Sequence, residues 1–155
     1  MSDDTEATAR KIVDANMYMT LATADADGRP WASPVWYAPS GTTDFLWVSR
    51  PETRHSRNIA ARPEIAIAIF DSTAAVGAAE AVYIEAVAKQ LRGEELEQGI
   101  ATFSKRLQAR AGETWELERV LPPAQFRLYR ARASSRFVLG PHDERLPVTA
   151  GAGVA

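Results

Sequence analysis

The segment from Asp44 to Phe70, DFLWVSRPETRHSRNIAARPEIAIAIF, constrains the fold more than any other stretch. Phe45 to Val48 form an apolar run of strand length, and Pro51 sets a turn behind it. Thr53 is placed to cap a helix running through Ala61, which Pro63 ends. Ile65, Ile67 and Ile69 then alternate with Ala66 and Ala68, which predicts a strand apolar on both faces. The start of the helix gathers Arg54, His55 and Arg57. Unpartnered backbone N–H groups and the helix dipole already make that end positive, so acidic side chains are its usual company. Cations there suit an external anion, most simply a phosphate, and equally a solvated basic turn.

A chain of 155 residues is expected to form one domain with its own core. A net charge of −2 argues against bulk nucleic-acid binding, because the basic groups are local. With no cysteine there is neither a disulfide framework nor a thiolate site. The two histidines, His55 and His142, lie far apart, so no metal site is expected. No apolar run is long enough to span a bilayer, and MSDDTEATAR does not read as a signal peptide. A cytoplasmic protein with no membrane partner is the expectation.

The remaining elements follow in order. Ser2 to Asp4 offer caps for a first helix with Ala9, Ile12 and Val13 on its apolar side. MYMTLATA (17–24) and WASPVWYA (31–38) read as a hairpin across DADGR, with Gly28 able to take positive φ. Pro34 removes a ladder N–H, which places its strand at an edge, at a bulge or open beside a ligand. Residues 71–80 form a small-residue loop, and VYIEAVAKQL (82–91) is a long strand. Leu96, Ile100, Phe103 and Leu107 make the core-facing stripe of a further helix. QFRLYRA (125–131) is a strand, and Arg136 to Leu139 add a short last one. Six strands, mostly hairpin neighbours, with three helices fit a small closed barrel with peripheral helices better than a parallel sheet.

The order MYMTLATADADGRPWASPVWY, FLWVSRPETRHSRNIAARPEIAIAIF, VYIEAVAKQL resembles the pyridoxamine 5′-phosphate oxidase-like, FMN-binding split-barrel family over roughly residues 17–91. The resemblance implies a mainly β fold with peripheral helices, a six-stranded antiparallel split β-barrel. Residues 1–140 would be a single flavin-binding domain and 141–155 a flexible tail. It also implies a homodimer with FMN at the subunit interface. Ser33, Pro34, Val35 and Trp36 would run along the flavin, and Val48 and Ser49 would touch it. Thr53, Arg54 and His55 fall where many members place a Ser/Thr, an Arg and a Lys for the phosphate. His55 is shorter than Lys and only partly charged near neutral pH, so the phosphate would lean on Arg54 and Arg57. Tyr129 stands near a tryptophan that the oxidase itself uses for substrate, but His142, Asp143 and Arg145 echo that enzyme's C-terminal motif only at altered spacing. Pyridoxamine phosphate oxidation is therefore not expected.

From the residues alone, a flat ring needs an apolar slot with a few backbone donors, which Pro34 would open and Trp36 and Trp47 would wall. Both tryptophans fit plain core packing equally well. An FMN-dependent oxidoreductase acting on a small molecule is the leading expectation, with no acid or base residue assigned. A deazaflavin-dependent reductase is the alternative on the same fold, given fifteen arginines to three lysines. A non-catalytic flavin- or haem-binding module is the alternative in a different class. The aromatic hairpin Trp31, Trp36, Tyr37 points to a subunit contact, with each site completed by the partner's 71–80 loop or Tyr129 strand.

Overall fold

A computed structural model describes residues 2–149, with side chains described from Thr5 onward. The elements run α1 (Ser2–Ala15), β1 (Tyr18–Ala24), β2 (Pro30–Trp36), β3 (Ala38–Ser40), β4 (Asp44–Ser49), α2 (Arg54–Ala61) and β5 (Glu64–Phe70). They continue with β6 (Ala81–Gln90), α3 (Gly93–Ala111), a short 3-10 turn (Leu117–Val120), β7 (Arg127–Leu139) and β8 (Arg145–Pro147). The strands pair in the order β2-β1-β5-β6-β7-β4-β3, all antiparallel, and β8 adds to β7. β2 and β3 stand at opposite ends of that order, yet Tyr37 alone joins them. The sheet must therefore curl until its two ends meet, which makes it a split barrel.

The expected six strands become eight among the described residues. Tyr37 cuts the expected 31–38 strand in two, because the chain there leaves one sheet edge for the other. The two expected pieces 125–131 and 136–139 fuse into β7, which stays paired along β6 past a bulge at Glu85/Ala86. β8 was not foreseen; it falls within the segment expected to be a loose tail, whose final residues 150–155 lie outside the described ones. The caps expected of Ser2 to Asp4 likewise fall on side chains outside the description.

Burial explains why the strands read as they do. On β4, Phe45 and Trp47 enter the barrel, while Leu46 joins Leu91, Leu96, Ile100, Phe103 and Leu128 in a second core under α3. Both faces of β4 are covered, so its apolar residues run without a period. β5 does not follow that pattern. Ile65, Ile67 and Ile69 are buried, but Ala66 is exposed and Ala68 only half-buried, so its second face is open rather than core. That face continues across the sheet, where Ala22 pairs with Ala32 on one side and Ala66 on the other.

Helix α1 closes one end of the barrel with Ala9, Ile12 and Val13 buried, as its spacing predicted. Its last carbonyls have no intrahelical partners, and side chains from elsewhere supply them. Asn16 Nδ2 donates to Ile12 O at 2.9 Å, and the Tyr37 hydroxyl donates to Val13 O at 2.6 Å. Arg106 and Arg110 of α3 donate to Asp14 O at 3.1 and 2.7 Å. The cations favoured at a helix C-terminus thus come from another helix, since α1 has none in its own last turn. Helix α3 is in turn tied to the sheet by Glu95, which meets Lys89 at 2.9 Å and Arg130 at 2.7 Å.

Two outcomes follow from these ties. Tyr37→Phe should lower unfolding free energy by about 1–3 kcal/mol in a urea titration, because it leaves Val13 O buried and unpaired. An unchanged midpoint would mean that closure does not depend on this hydroxyl. Hydrogen bonds from Lys89 and Arg130 hold the Glu95 carboxyl far below its ordinary 4.5, at about 2. Its stabilising effect should be complete above pH 4.5 and lost as pH falls through about 2. The stability difference between wild type and Glu95→Gln should shrink over that window; a constant difference would contradict the assignment.

Candidate functional site

A cleft of about 450 Å³ opens where the ends of β1, β2 and β4 and the start of α2 face α3 and the segment after it. Tyr18, Pro34, Val35, Trp36, Val48, Ser49, Arg50, Thr53 and His55 line one side. Phe103, Leu107, Glu113, Trp115 and Phe126 line the other. Closure of the sheet creates this place, since Trp36 is the last residue of β2 before Tyr37 carries the chain across. Pro34 lies on the edge strand, where its missing N–H costs no ladder bond. The size falls within the range of small-molecule and cofactor pockets.

At the floor, Thr53 caps α2 as its sequence predicted, its Oγ1 accepting from the Ser56 N–H at 3.3 Å. His55 points inward and is buried, with Nε2 2.7 Å from Ser49 Oγ and 3.3 Å from Thr53 Oγ1. Burial pushes the imidazole below its ordinary value, which favours the neutral ring as a hydrogen-bonding group over the cation. Two hydroxyls and one neutral ring therefore offer uncharged polar contacts beside an apolar slot.

The arginines of α2 point the other way. Arg54 and Arg57, with Arg29 from the β1–β2 turn, line a second cleft of about 500 Å³ that also holds Asp25, Asn58 and Ala61. Arg54 lies 4.3 Å over the Trp31 ring, a cation–π contact that fixes the guanidinium at the rim. Asp25 accepts the backbone N–H groups of Asp27 and Arg29 with one carboxylate oxygen, which holds the turn. Among the described residues no carboxylate forms an ion pair with Arg29, Arg54 or Arg57. The first turn of α2 is thus shared, with its inward side on the apolar cleft and its outward side on the basic one.

Of the residues singled out by sequence, Pro34, Val35, Trp36, Val48, Ser49, Thr53 and His55 come together in the apolar cleft. Arg54 and Arg57 line the adjoining one, and Ser33, paired with Leu21 inside the hairpin, lines neither. Tyr129 is in the barrel core, stacked on Trp47 at 5.7 Å and 15°. Trp47 is therefore core and Trp36 is wall, which resolves the two readings open for each. Tyr18, Arg50, Phe103, Leu107, Glu113, Trp115 and Phe126 were not anticipated. Phe103 and Leu107 sat on a stripe that predicted only packing, Phe126 belongs to the expected 125–131 strand but precedes β7, and Trp115 lies outside any periodic pattern. No group of three or more His, Cys, Asp or Glu side chains among the described residues could hold a metal ion. No helix among them is long and apolar enough to cross a membrane.

Comparison with known proteins adds the family. The family model described as pyridoxamine 5′-phosphate oxidase matches residues 5–134. Among solved structures, a haem-binding protein from Mycobacterium smegmatis is 26% identical with a TM-score of 0.74, covering 93% of this chain and 57% of its own. The chain thus spans little more than half the length of that relative. HutZ, the haem storage protein from Vibrio cholerae, is 25% identical with a TM-score of 0.66, covering 83% of this chain and 89% of its own. A protein of the pyridoxinephosphate oxidase family from Clostridium acetobutylicum, related to general stress protein 26, shares the fold at 9% identity. Its TM-score is 0.67, over 92% of each chain. No curated protein matches.

The neutral His55 gives a direct outcome for NMR. Its ring protons should titrate with a midpoint below 6.5. Because the folded value is depressed, the stability it carries is complete above 6.5 and falls as pH drops below that. A midpoint at or above 6.5 would mean that the ring is not enclosed as described.

Proposed function

This chain belongs to the pyridoxamine 5′-phosphate oxidase family, and from that premise we propose that it is an FMN-dependent oxidoreductase acting on a small molecule. The observation that carries the reading is the apolar cleft lying directly against the capped start of α2. A flat, apolar ring ending in a phosphate needs this combination. The residues fit such a group: Pro34, Val35, Trp36 and Val48 offer apolar surface, and Ser49, Thr53 and His55 offer uncharged polar contacts. Arg50 lines the same cleft, and Arg54 and Arg57 stand round the outward side of the same helix turn, where they would hold the phosphate. The bound flavin would supply the hydride chemistry. The protein's part is to seat the ring, exclude water with Trp36 and Phe103, and keep Ser49 oriented through His55. A deazaflavin cofactor would use the same slot and is the alternative on this fold.

The open sheet face supports a two-fold homodimer as part of the proposal. Tyr18 is 62% exposed and Phe70 49%, and the paired row Ala32, Ala22, Ala66 across β2, β1 and β5 is exposed as well. Tyr18 and Pro34 belong both to this face and to the cleft wall, so a partner seated there would complete the site. The buried area should exceed about 2,000 Å² in total.

A haem-binding module is the second reading, favoured by the haem proteins among the structural relatives. Its difficulty is the axial ligand. His55 Nε2 is occupied by Ser49, and among the described residues His142 does not line the cleft and Tyr18 is the one phenol that does.

Absorbance titrations separate these readings. FMN should bind and show a perturbed flavin band, whereas hemin should bind without a new axial-ligand Soret shift. The Arg54→Ala, Arg57→Ala double variant should weaken FMN by about tenfold or more. Tight hemin binding with a shifted Soret band and no FMN binding would replace the flavin reading with the haem one. Light scattering should give a dimer at low micromolar concentration, and a monomer that binds FMN stoichiometrically would remove the interface from the account.

A further inference from the structure

We infer that the α3 side of the cleft is a substrate subsite for a flat, uncharged aromatic molecule. This rests on the opposite side being the cofactor's seat. The two sides differ in chemistry. The polar groups Ser49, Arg50, Thr53 and His55 all belong to β4, α2 and the turn between them. The α3 side offers Phe103, Leu107, Trp115 and Phe126, with Glu113 its only charged group.

The aromatic rings on that side form a continuous run. Trp36 meets Phe103 at 5.4 Å and 83°, Phe103 meets Trp115 at 6.2 Å and 61°, and Trp115 meets Phe126 at 5.6 Å and 63°. Edge-to-face contacts of this kind hold each ring in orientation, so the wall is rigid before anything binds. The Arg119 guanidinium lies 4.7 Å over Trp115 and occupies one face of that ring. Yet the run is not finished core, because Phe126 stays 38% exposed and Trp115 half-buried while both line open space. Apolar edges left open along a cleft are complementary to another flat apolar molecule.

Charge narrows the class further. Among the described residues the α3 side carries no cation that lines the cleft, and Glu113 would repel an anion brought against it. A phosphorylated or carboxylated substrate therefore meets no lining cation on this side, Arg50 standing on the opposite one and Arg119 stacked on Trp115, in keeping with the expectation that pyridoxamine phosphate is not the substrate. A neutral bicyclic ring meets only favourable surface.

The test compares 2-naphthol with 2-naphthoate, two rings of the same size that differ in charge, by calorimetry on the full chain with and without FMN. 2-Naphthol should bind the FMN-loaded protein, and 2-naphthoate should bind more weakly. Trp115→Ala should weaken 2-naphthol by about three- to tenfold, the effect of losing one aromatic partner, and leave FMN affinity unchanged. Phe126→Ala, at a more exposed position, should act in the same direction and covers the case in which the first variant does not fold. Equal or tighter binding of 2-naphthoate would overturn the inference, as would 2-naphthol affinity indifferent to both variants. Competition between 2-naphthol and FMN would also overturn it while leaving FMN binding itself intact. If FMN fails to bind but 2-naphthol still binds through Trp115, the aromatic subsite stands and the cofactor reading falls.

Discussion

One hydrogen bond, from the Tyr37 hydroxyl to Val13 O, ties the junction of the two sheet ends to helix α1. Tyr37 is fully buried, and it is the single residue between strands at opposite ends of the sheet. A curled sheet whose ends meet through one residue leaves little freedom for the curl. Burial also pushes the phenol's ionisation well above its ordinary range, so the hydroxyl remains a donor at any physiological pH. What the tie fixes is function as much as shape. Trp36 precedes it and Ala38 follows it, so the cleft wall from β2 is set against β4 by the same residue that closes the barrel.

The same end of α1 anchors α3. Arg106 and Arg110 both reach Asp14 O, and burial lowers the Arg106 guanidinium's affinity for its proton without discharging it. Placing two cations at a helix C-terminus satisfies an orphan carbonyl and the dipole together. The consequence falls three residues away along α3, where Phe103 turns toward the cleft. A helix whose stripe predicted only packing thus also becomes a wall, held at its middle by the second core and at its end by α1.

Local physics was legible in the sequence, and the contacts made by closure were not. The Thr53 cap, the β5 alternation of isoleucines and the Gly28 turn (φ +85°) all depend on neighbours within a few residues. A small barrel was legible too, because hairpin order carries it, and the family resemblance is what made it a split one. The faces were harder. DFLWV and EIAIAIF look alike as apolar strands, but only the first has a helix over its second side. His55 reads as a cation beside two arginines in sequence, yet the helix turn sends it inward to Ser49 and the arginines outward. Trp115 reaches the cleft through the path of a loop after α3, which no periodicity encodes, and Phe126, expected within a strand, falls one residue before β7 and lines the cleft. For the same reason Trp36 and Trp47, equivalent on paper, part company at the wall and in the core.

Closure at Tyr37 builds one cleft, with its polar floor on α2 and its aromatic wall on α3, and the proposed FMN sits on the α2 side. Amide and indole chemical-shift mapping during an FMN titration tests this most directly. The shifts should concentrate at Trp36, Val48, Ser49, Thr53 and His55, with Arg54 and Arg57 following the phosphate. A response confined to the β7–β8 turn around His142, or no localised response at saturating FMN, would contradict it.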